Sequence, residues 1–359
     1  MASINRLFRS HLAHIKVYEP VDPVSELARK YGIDPENVLK LNGNENPFGP
    51  HPAVKAAIAE GELHLYPDPN QVKVRQALAE YTGAPFECVL AGAGGDELID
   101  LLLRLFVEPG ERLLDCEPTF GMYAFCARIA NAEIVSVPRT ADFEVDIEAV
   151  TREDNEHTKL LFLASPNNPT GNELSEADLL KLLALNMIIV VDETYYEFSG
   201  NTLAHLVPEH ENLVILRSMS KWAGLAGVRV GYMIGSSTIV QHLMEIKQPY
   251  NVTAPAEAAL LASLEHRGDL MENVNMIREQ RGKLEEFLDG VESVKYFPST
   301  ANFILCEFSE GANEMYERLA SKGVFVRKFS HPVLSHHLRL TVGRPEETTR
   351  LIEALAASV

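Results

Sequence analysis

The feature that most constrains this chain is a repeated unit: a short apolar run, a polar turn at its end, then a helical pattern. Residues 112–116, 133–137, 159–164, 187–191 and 213–216 are the apolar runs, with 123–130 and 176–185 as helices between them and Ser175 as N-cap of the second. Strands that alternate with helices pack as a parallel sheet covered by its crossovers. An earlier unit has the same form: strand 88–91, the turn Gly92-Ala93-Gly94-Gly95-Asp96-Glu97 and an apolar helix over 98–106. Sheets of this class bind ligands beyond the carboxyl ends of their strands. The polar residues collect there. Phe120 follows the first run, Ser165-Pro166-Asn167-Asn168-Pro169-Thr170-Gly171 the third, Asp192-Glu193-Thr194-Tyr195-Tyr196 the fourth, and 217–231 the fifth.

The last of these turns carries the sharpest chemistry. Lys221 lies between Ser218 and Ser220 on one side and Arg229, eight positions on. A lysine kept poorly solvated beside other cations loses basicity and becomes a nucleophilic amine able to form a Schiff base. Ser218 and Arg229 suit a phosphate. An amine for an aldehyde together with donors for a phosphate is what pyridoxal 5'-phosphate requires. The plainer alternative is a surface lysine after a strand, so the context has to decide. The turn at 92–97 differs from the GxGxxG dinucleotide fingerprint, yet its glycines would let backbone N–H groups approach a phosphate at a helix start. Asp192 ends a buried strand, where an ionised carboxylate is costly unless paired. A protonated pyridine nitrogen would be such a partner. Asn168 and Tyr195 could donate to the ring oxygen, and Phe120 offers a flat face. The loop at 41–50, rich in Gly, Asn and Pro, has polar side chains able to reach a site, Asn44 among them.

Composition narrows the partners. The 359 residues suggest two domains, and 46% hydrophobic with 23% charged residues suits a folded globular chain. No apolar run approaches the ~18–20 residues of a membrane span. Arg6, Arg9 and Lys16 near the start accompany no continuous apolar stretch, so a secretory signal is not expected and a cytoplasmic location is. The net charge of −19 would repel nucleic acid and acidic membranes. An anionic substrate would need local arginines. Cys88, Cys116, Cys126 and Cys306 have neither zinc-site nor disulfide-framework spacing and read as reduced. His331, His336 and His337 read as loop histidines, and no metal is expected. Helical patterns cover 23–31, 52–60, 71–81, 239–247 and 254–288. The tail mixes strands at 302–308, 324–326 and 338–342 with helices at 313–322 and 346–357, an α+β pattern that suggests a second, smaller domain.

In chain order, an aromatic residue, Asn-Pro-Thr-Gly, Asp-x-x-Tyr, Ser-x-x-Lys and Arg together resemble the fold-type I pyridoxal-phosphate aminotransferases, and within them the histidinol-phosphate aminotransferase family. The resemblance runs from Tyr18 and the 41–50 loop to 338–343. It implies an α/β large domain over 41–248 with a mostly parallel seven-stranded sheet, and a small α+β domain made of 1–40 with 249–359. It assigns Lys221 as the Schiff-base lysine that also moves the substrate proton, and Asp192 as partner of the pyridinium. Asn168 and Tyr195 go to the ring oxygen and Phe120 to the ring face. Gly95, Asp96, Ser218, Ser220 and Arg229 go to the phosphate. Tyr66 is assigned to the neighbouring subunit's cofactor, which implies a homodimer with shared sites. Tyr18, Asn44, Arg327 and Arg339 are assigned to substrate. The implied reaction is transamination between histidinol phosphate and 2-oxoglutarate in histidine biosynthesis. Three departures touch substrate identity: Phe120 stands where the family usually has tyrosine, Trp222 follows the lysine, and Tyr18-Glu19-Pro20-Val21 lacks a glycine. An aromatic amino acid aminotransferase is the alternative, with Phe120, Tyr18 and Trp222 lining an aromatic pocket. A threonine-phosphate decarboxylase fits less well because the N-terminal segment lacks His-Gly-Gly. Intact Asp192, Lys221 and Arg229 argue against a non-catalytic module.

Overall fold

The computed structural model describes residues 4–13 and 15–359; residues 1–3 and 14, part of the segment assigned to the small domain, lie outside the described residues. Among the described residues there are twelve strands: β1 (Leu39–Leu41), β2 (Val89–Gly92), β3 (Arg112–Asp115), β4 (Glu133–Ser136), β5 (Thr158–Ala164), β6 (Ile188–Asp192), β7 (Leu213–Ser218), β8 (Gly231–Ile234), β9 (Val294–Phe297), β10 (Phe303–Phe308), β11 (Val324–Lys328) and β12 (His337–Thr341). Seven form one sheet in the order β2-β8-β7-β6-β5-β3-β4. The pairs β7-β6, β6-β5, β5-β3 and β3-β4 are parallel, and β8 runs antiparallel to both its neighbours. This is the mostly parallel seven-stranded sheet that the resemblance implies. Its central strands are covered on both faces: Leu160, Leu161, Phe162, Val190, Val191, Val214 and Ile215 are fully buried. Each such side chain contributes about 1.5–3 kcal/mol of apolar burial.

The remaining five strands form a second sheet, β1-β11-β12-β10-β9. Within it β1 lies parallel to β11, while the other pairs are antiparallel. Since β1 ends at Leu41, the loop that follows is delivered from this sheet toward the carboxyl ends of the other.

Several elements depart from the expected pattern. Strands β1, β8 and β9 lie outside the pattern read from sequence; they are three or four residues long and are fixed by their pairing with β11, with β2 and β7, and with β10. Gly231 opens β8 because a Cβ there would lie 2.9 Å from Arg217 O and 3.0 Å from Gly95 N. A six-residue helix at Ile147–Arg152, capped by Asp146, is a further element outside that pattern. The single helix expected over 254–288 is two, Ala254–Glu265 and Arg267–Asp289, separated at His266 with ψ of 26°. The His266 ring stacks at 4.2 Å on His51, whose Nδ1 accepts from Ala53 N and whose Nε2 lies 3.2 Å from Asp269 Oδ2. Both nitrogens of His51 are thus engaged in clamping three helix ends. His337 is not a loop histidine but a buried residue of β12, packed against Phe143 and Phe297, and burial pushes its pKa down.

Behind the ends of β6 and β7, Arg217 donates to Glu193 Oε2 at 2.9 and 3.0 Å and lies over the Tyr196 ring at 3.8 Å. Both charged groups are almost fully buried. Neither could sit there alone, because an unpaired buried charge is far more costly than a paired one. The pair fastens the turn after Asp192 to the strand that leads to Lys221. No helix of the described residues is long and apolar enough to cross a membrane.

Candidate active site

A cleft of about 540 Å³ opens where the strand ends of the large sheet face the small one. It is lined by Lys221, Asp192, Tyr195, Asn168, Phe120, Gly95, Asp96, Ser218, Ser220, Arg229, Tyr18, Asn44, Arg327 and Arg339. Fourteen of the fifteen residues singled out from sequence therefore meet in one place.

The exception is Tyr66. It is 81% exposed and stacks at 4.4 Å on Tyr250, away from the cleft of its own chain. Trp222 also corrects an expectation: it is fully buried, stacked on Tyr81 at 5.8 Å, and lines no aromatic pocket. Its carbonyl accepts from Asn46 Nδ2 at 2.8 Å. Phe125, not anticipated, takes its place in the cleft, packed 6.5 Å from Tyr18.

Lys221 Nζ donates to Gly43 O at 3.0 Å. Burial, with the nearby Arg339 guanidinium second, pushes the lysine down to about 8, which leaves a substantial neutral fraction near pH 8. Asp192 accepts from Tyr123 Oη at 2.7 Å, Thr194 N at 3.0 Å and Thr194 Oγ1 at 2.6 Å. Burial nevertheless raises its pKa against the lowering effect of those hydrogen bonds, and none of the ion pairs among the described residues includes it. Tyr123 and Thr194 were not singled out from sequence. Thr194, two residues after an aspartate, has the spacing of a local side-chain turn. Tyr123 gives no local signal, since it reaches Asp192 across the sheet from a different crossover.

On the other side Asn44, at φ 52°, donates to Tyr195 Oη at 3.0 Å and accepts from Thr341 Oγ1 at 2.7 Å. Arg339 donates to Asn168 Oδ1 at 2.6 Å and to Asn42 O at 2.8 Å, and burial pushes it down to about 10. Arg327 donates to the carbonyls of Glu19 at 2.8 Å and Pro20 at 3.4 Å. Phe120 lies between Tyr18 and Tyr123, edge-on to both.

The corner at the start of helix Gly95–Phe106 collects donors. Its first N–H groups have no intrahelical acceptor and carry the positive end of the helix dipole. Ser218, Ser220 and Arg229 stand around it, with Arg229 held by Asp96 at 2.7 Å. Gly94, at φ 81°, leaves a space that a Cβ could enter only at 2.7 Å from Arg229 Nη2. These features fit pyridoxal phosphate on two separate counts. A buried carboxylate lacks a cation, and a glycine-lined helix start with hydroxyl and guanidinium donors suits a phosphate.

Residues 36–355 match the family model for aminotransferase class I and II. A protein named histidinol-phosphate aminotransferase from Roseiflexus castenholzii is 42% identical over 99% of this chain and 98% of its own. One of the same name from Dehalococcoides mccartyi is 44% identical over 89% of each chain. Among solved structures, histidinol-phosphate aminotransferase from Sinorhizobium meliloti, in complex with pyridoxal-5'-phosphate, superposes with a TM-score of 0.85 at 27% identity, covering 95% of both chains. The chain belongs to the class I and II aminotransferases and, among them, to the histidinol-phosphate aminotransferase family.

Proposed function

We propose that this enzyme transfers the amino group of histidinol phosphate to 2-oxoglutarate with pyridoxal phosphate as cofactor. The observation that carries the reading is that Lys221, Asp192 and the two arginines Arg327 and Arg339 line one cleft; the names of relatives over 40% identical support it. Gly95, Asp96, Ser218, Ser220 and Arg229 would hold the cofactor phosphate, Asp192 its pyridine nitrogen, Asn168 and Tyr195 its ring oxygen, and Phe120 its face. Bound there, pyridoxal phosphate supplies an aldehyde for amines and a ring that withdraws electrons from the substrate carbon.

The protein's own groups do the rest. Asp192, already held by Thr194 and Tyr123, keeps its carboxylate fixed to retain a proton on the group it faces. Lys221 Nζ, neutral in part because it is buried, takes the proton from the carbon that bears the amine, and Gly43 O holds the resulting ammonium. Arg339 and Arg327 bind the anionic ends. One half-reaction presents a phosphate and the other carboxylates, a task suited to planar guanidinium forks. Tyr18, Phe120 and Phe125 pack together as an aromatic wall of the cleft.

Three further points belong to this reading. The exposed Tyr66, with Leu63 and Leu65 exposed beside it, supports a homodimer in which Tyr66 serves the neighbouring site. The two sheets support a division into a large domain over 41–248 and a small one from the two ends of the chain. A cytoplasmic location agrees with the sequence reading.

The test is a single-turnover half-reaction that follows the bound cofactor's absorbance as histidinol phosphate, phenylalanine and glutamate are added separately. Fast conversion by histidinol phosphate with little response to phenylalanine supports the proposal. The reverse order makes the enzyme an aromatic aminotransferase and withdraws the phosphate role of the arginines.

A further inference from the structure

Gly43, whose carbonyl meets Lys221 Nζ, has its side-chain position filled by other residues. A Cβ built on it would lie 2.8 Å from Glu45 Oε2 and 3.2 Å from Lys40 Nζ. Those two atoms are ion-paired across the face of the glycine. Neither residue lines the cleft, so the pair stands behind the peptide that the lysine touches. One end is anchored: Lys40 lies on β1 in register with Phe325 of β11, and its side chain is only 15% exposed. Past the pair the loop is pinned again, by Asn44 to Tyr195 and Thr341 and by Asn46 to Trp222 O.

We infer that the Lys40–Glu45 ion pair is a positioning brace for Lys221, pressing the Gly43 peptide into the orientation in which its carbonyl receives the lysine ammonium. A glycine peptide has more rotational freedom than any other. Filling the space at its Cα with an ion pair removes that freedom while leaving the carbonyl free to face the cleft. The charged groups that face Lys221 are Arg339, Glu45, Lys40 and Arg229. Of the braced pair, Glu45 favours the protonated lysine and Lys40 disfavours it. Intact, the two offset each other; either alone does not. Neither is a catalytic residue, since neither lines the cleft: the pair acts on Lys221 through the Gly43 peptide and through its charges.

The inference rests on Lys221 being the amine that moves the substrate proton, and the experiment separates the two ideas. The holoenzyme is compared with its K40M, K40R and E45Q variants, reading kcat, KM for both substrates, and the pH midpoint of the bound cofactor's absorbance. K40M is expected to lower kcat roughly five- to tenfold with both KM values within about twofold of the parent. The midpoint should rise by about half a pH unit in K40M and fall by a similar amount in E45Q. K40R, which keeps the pair, should retain kcat within about twofold. Parental kcat and midpoint in K40M overturn the brace, as does a lowered melting temperature with an unmoved midpoint. A parent enzyme without transaminase activity would instead sink the proposed function, and the midpoint comparison would still be readable.

Discussion

Arg339 of β12 donates through Nη1 to Oδ1 of Asn168 at 2.6 Å, joining a residue of the small sheet to the turn after β5 in the large one. Its second nitrogen holds Asn42 O at 2.8 Å, in the loop that delivers Gly43 and Asn44. One guanidinium thus fixes three segments that meet at Lys221, besides any anion it binds.

Arg339 and Arg327 therefore differ in what their loss should do. Arg339→Ala leaves Asn168 Oδ1 and Asn42 O without their donor in a buried setting, and should lower stability by about 2–4 kcal/mol as well as activity. Arg327→Ala, where the lost bonds are exposed, should keep its stability and raise KM for anionic substrates at least tenfold. Urea unfolding alongside steady-state kinetics checks both. Equal stability loss in the two variants would contradict the distinction.

The depressed basicity of Lys221 gives a pH dependence in the cofactor-free protein. Only the neutral amine attacks an aldehyde, so the rate of pyridoxal phosphate capture should climb as pH rises through about 8 and level off above it. Stopped-flow absorbance at a series of pH values reads the midpoint directly. A rate still climbing near pH 10.5 would mean that the lysine has its ordinary basicity.

Asp192 should trade stability against function. Without cofactor its carboxylate is buried with a raised pKa and no cation paired to it among the described residues, so Asp192→Asn should leave the cofactor-free protein as stable or slightly more stable. Turnover should fall by about two to three orders of magnitude, because the fixed charge opposite the pyridine nitrogen is gone. Thermal denaturation of the cofactor-free forms and kcat of the loaded ones test the two halves. A marked loss of stability without loss of turnover would assign Asp192 a structural role.

Tyr66 provides a test of shared sites. Tyr66→Ala and Lys221→Ala are each expected to be nearly inactive, whereas co-expression should yield mixed dimers with one intact site. Activity recovered in the purified mixed dimer is the expected result. Full activity in Tyr66→Ala alone would confine each site to one chain.

Much of this molecule was legible in its sequence. The alternation of apolar runs and helical patterns between 88 and 218 determined the parallel sheet, because a strand buried on both faces must be apolar throughout and a crossover must be amphipathic. The placing of Phe120, Asn168, Asp192, Tyr195 and Lys221 at or just past strand ends determined that they would share one edge of that sheet. Tertiary structure decided the rest. Tyr123 reaches Asp192, and Arg339 reaches Asn168, over separations of 69 and 171 residues. No periodicity or turn chemistry encodes such distances. Trp222, next to the lysine, turned away into the core, while Phe125, on a different helix, turned into the cleft. Local pattern sets which element a residue joins. Which neighbour its side chain meets depends on how the two sheets and their helices pack, and that is settled only when the whole core closes.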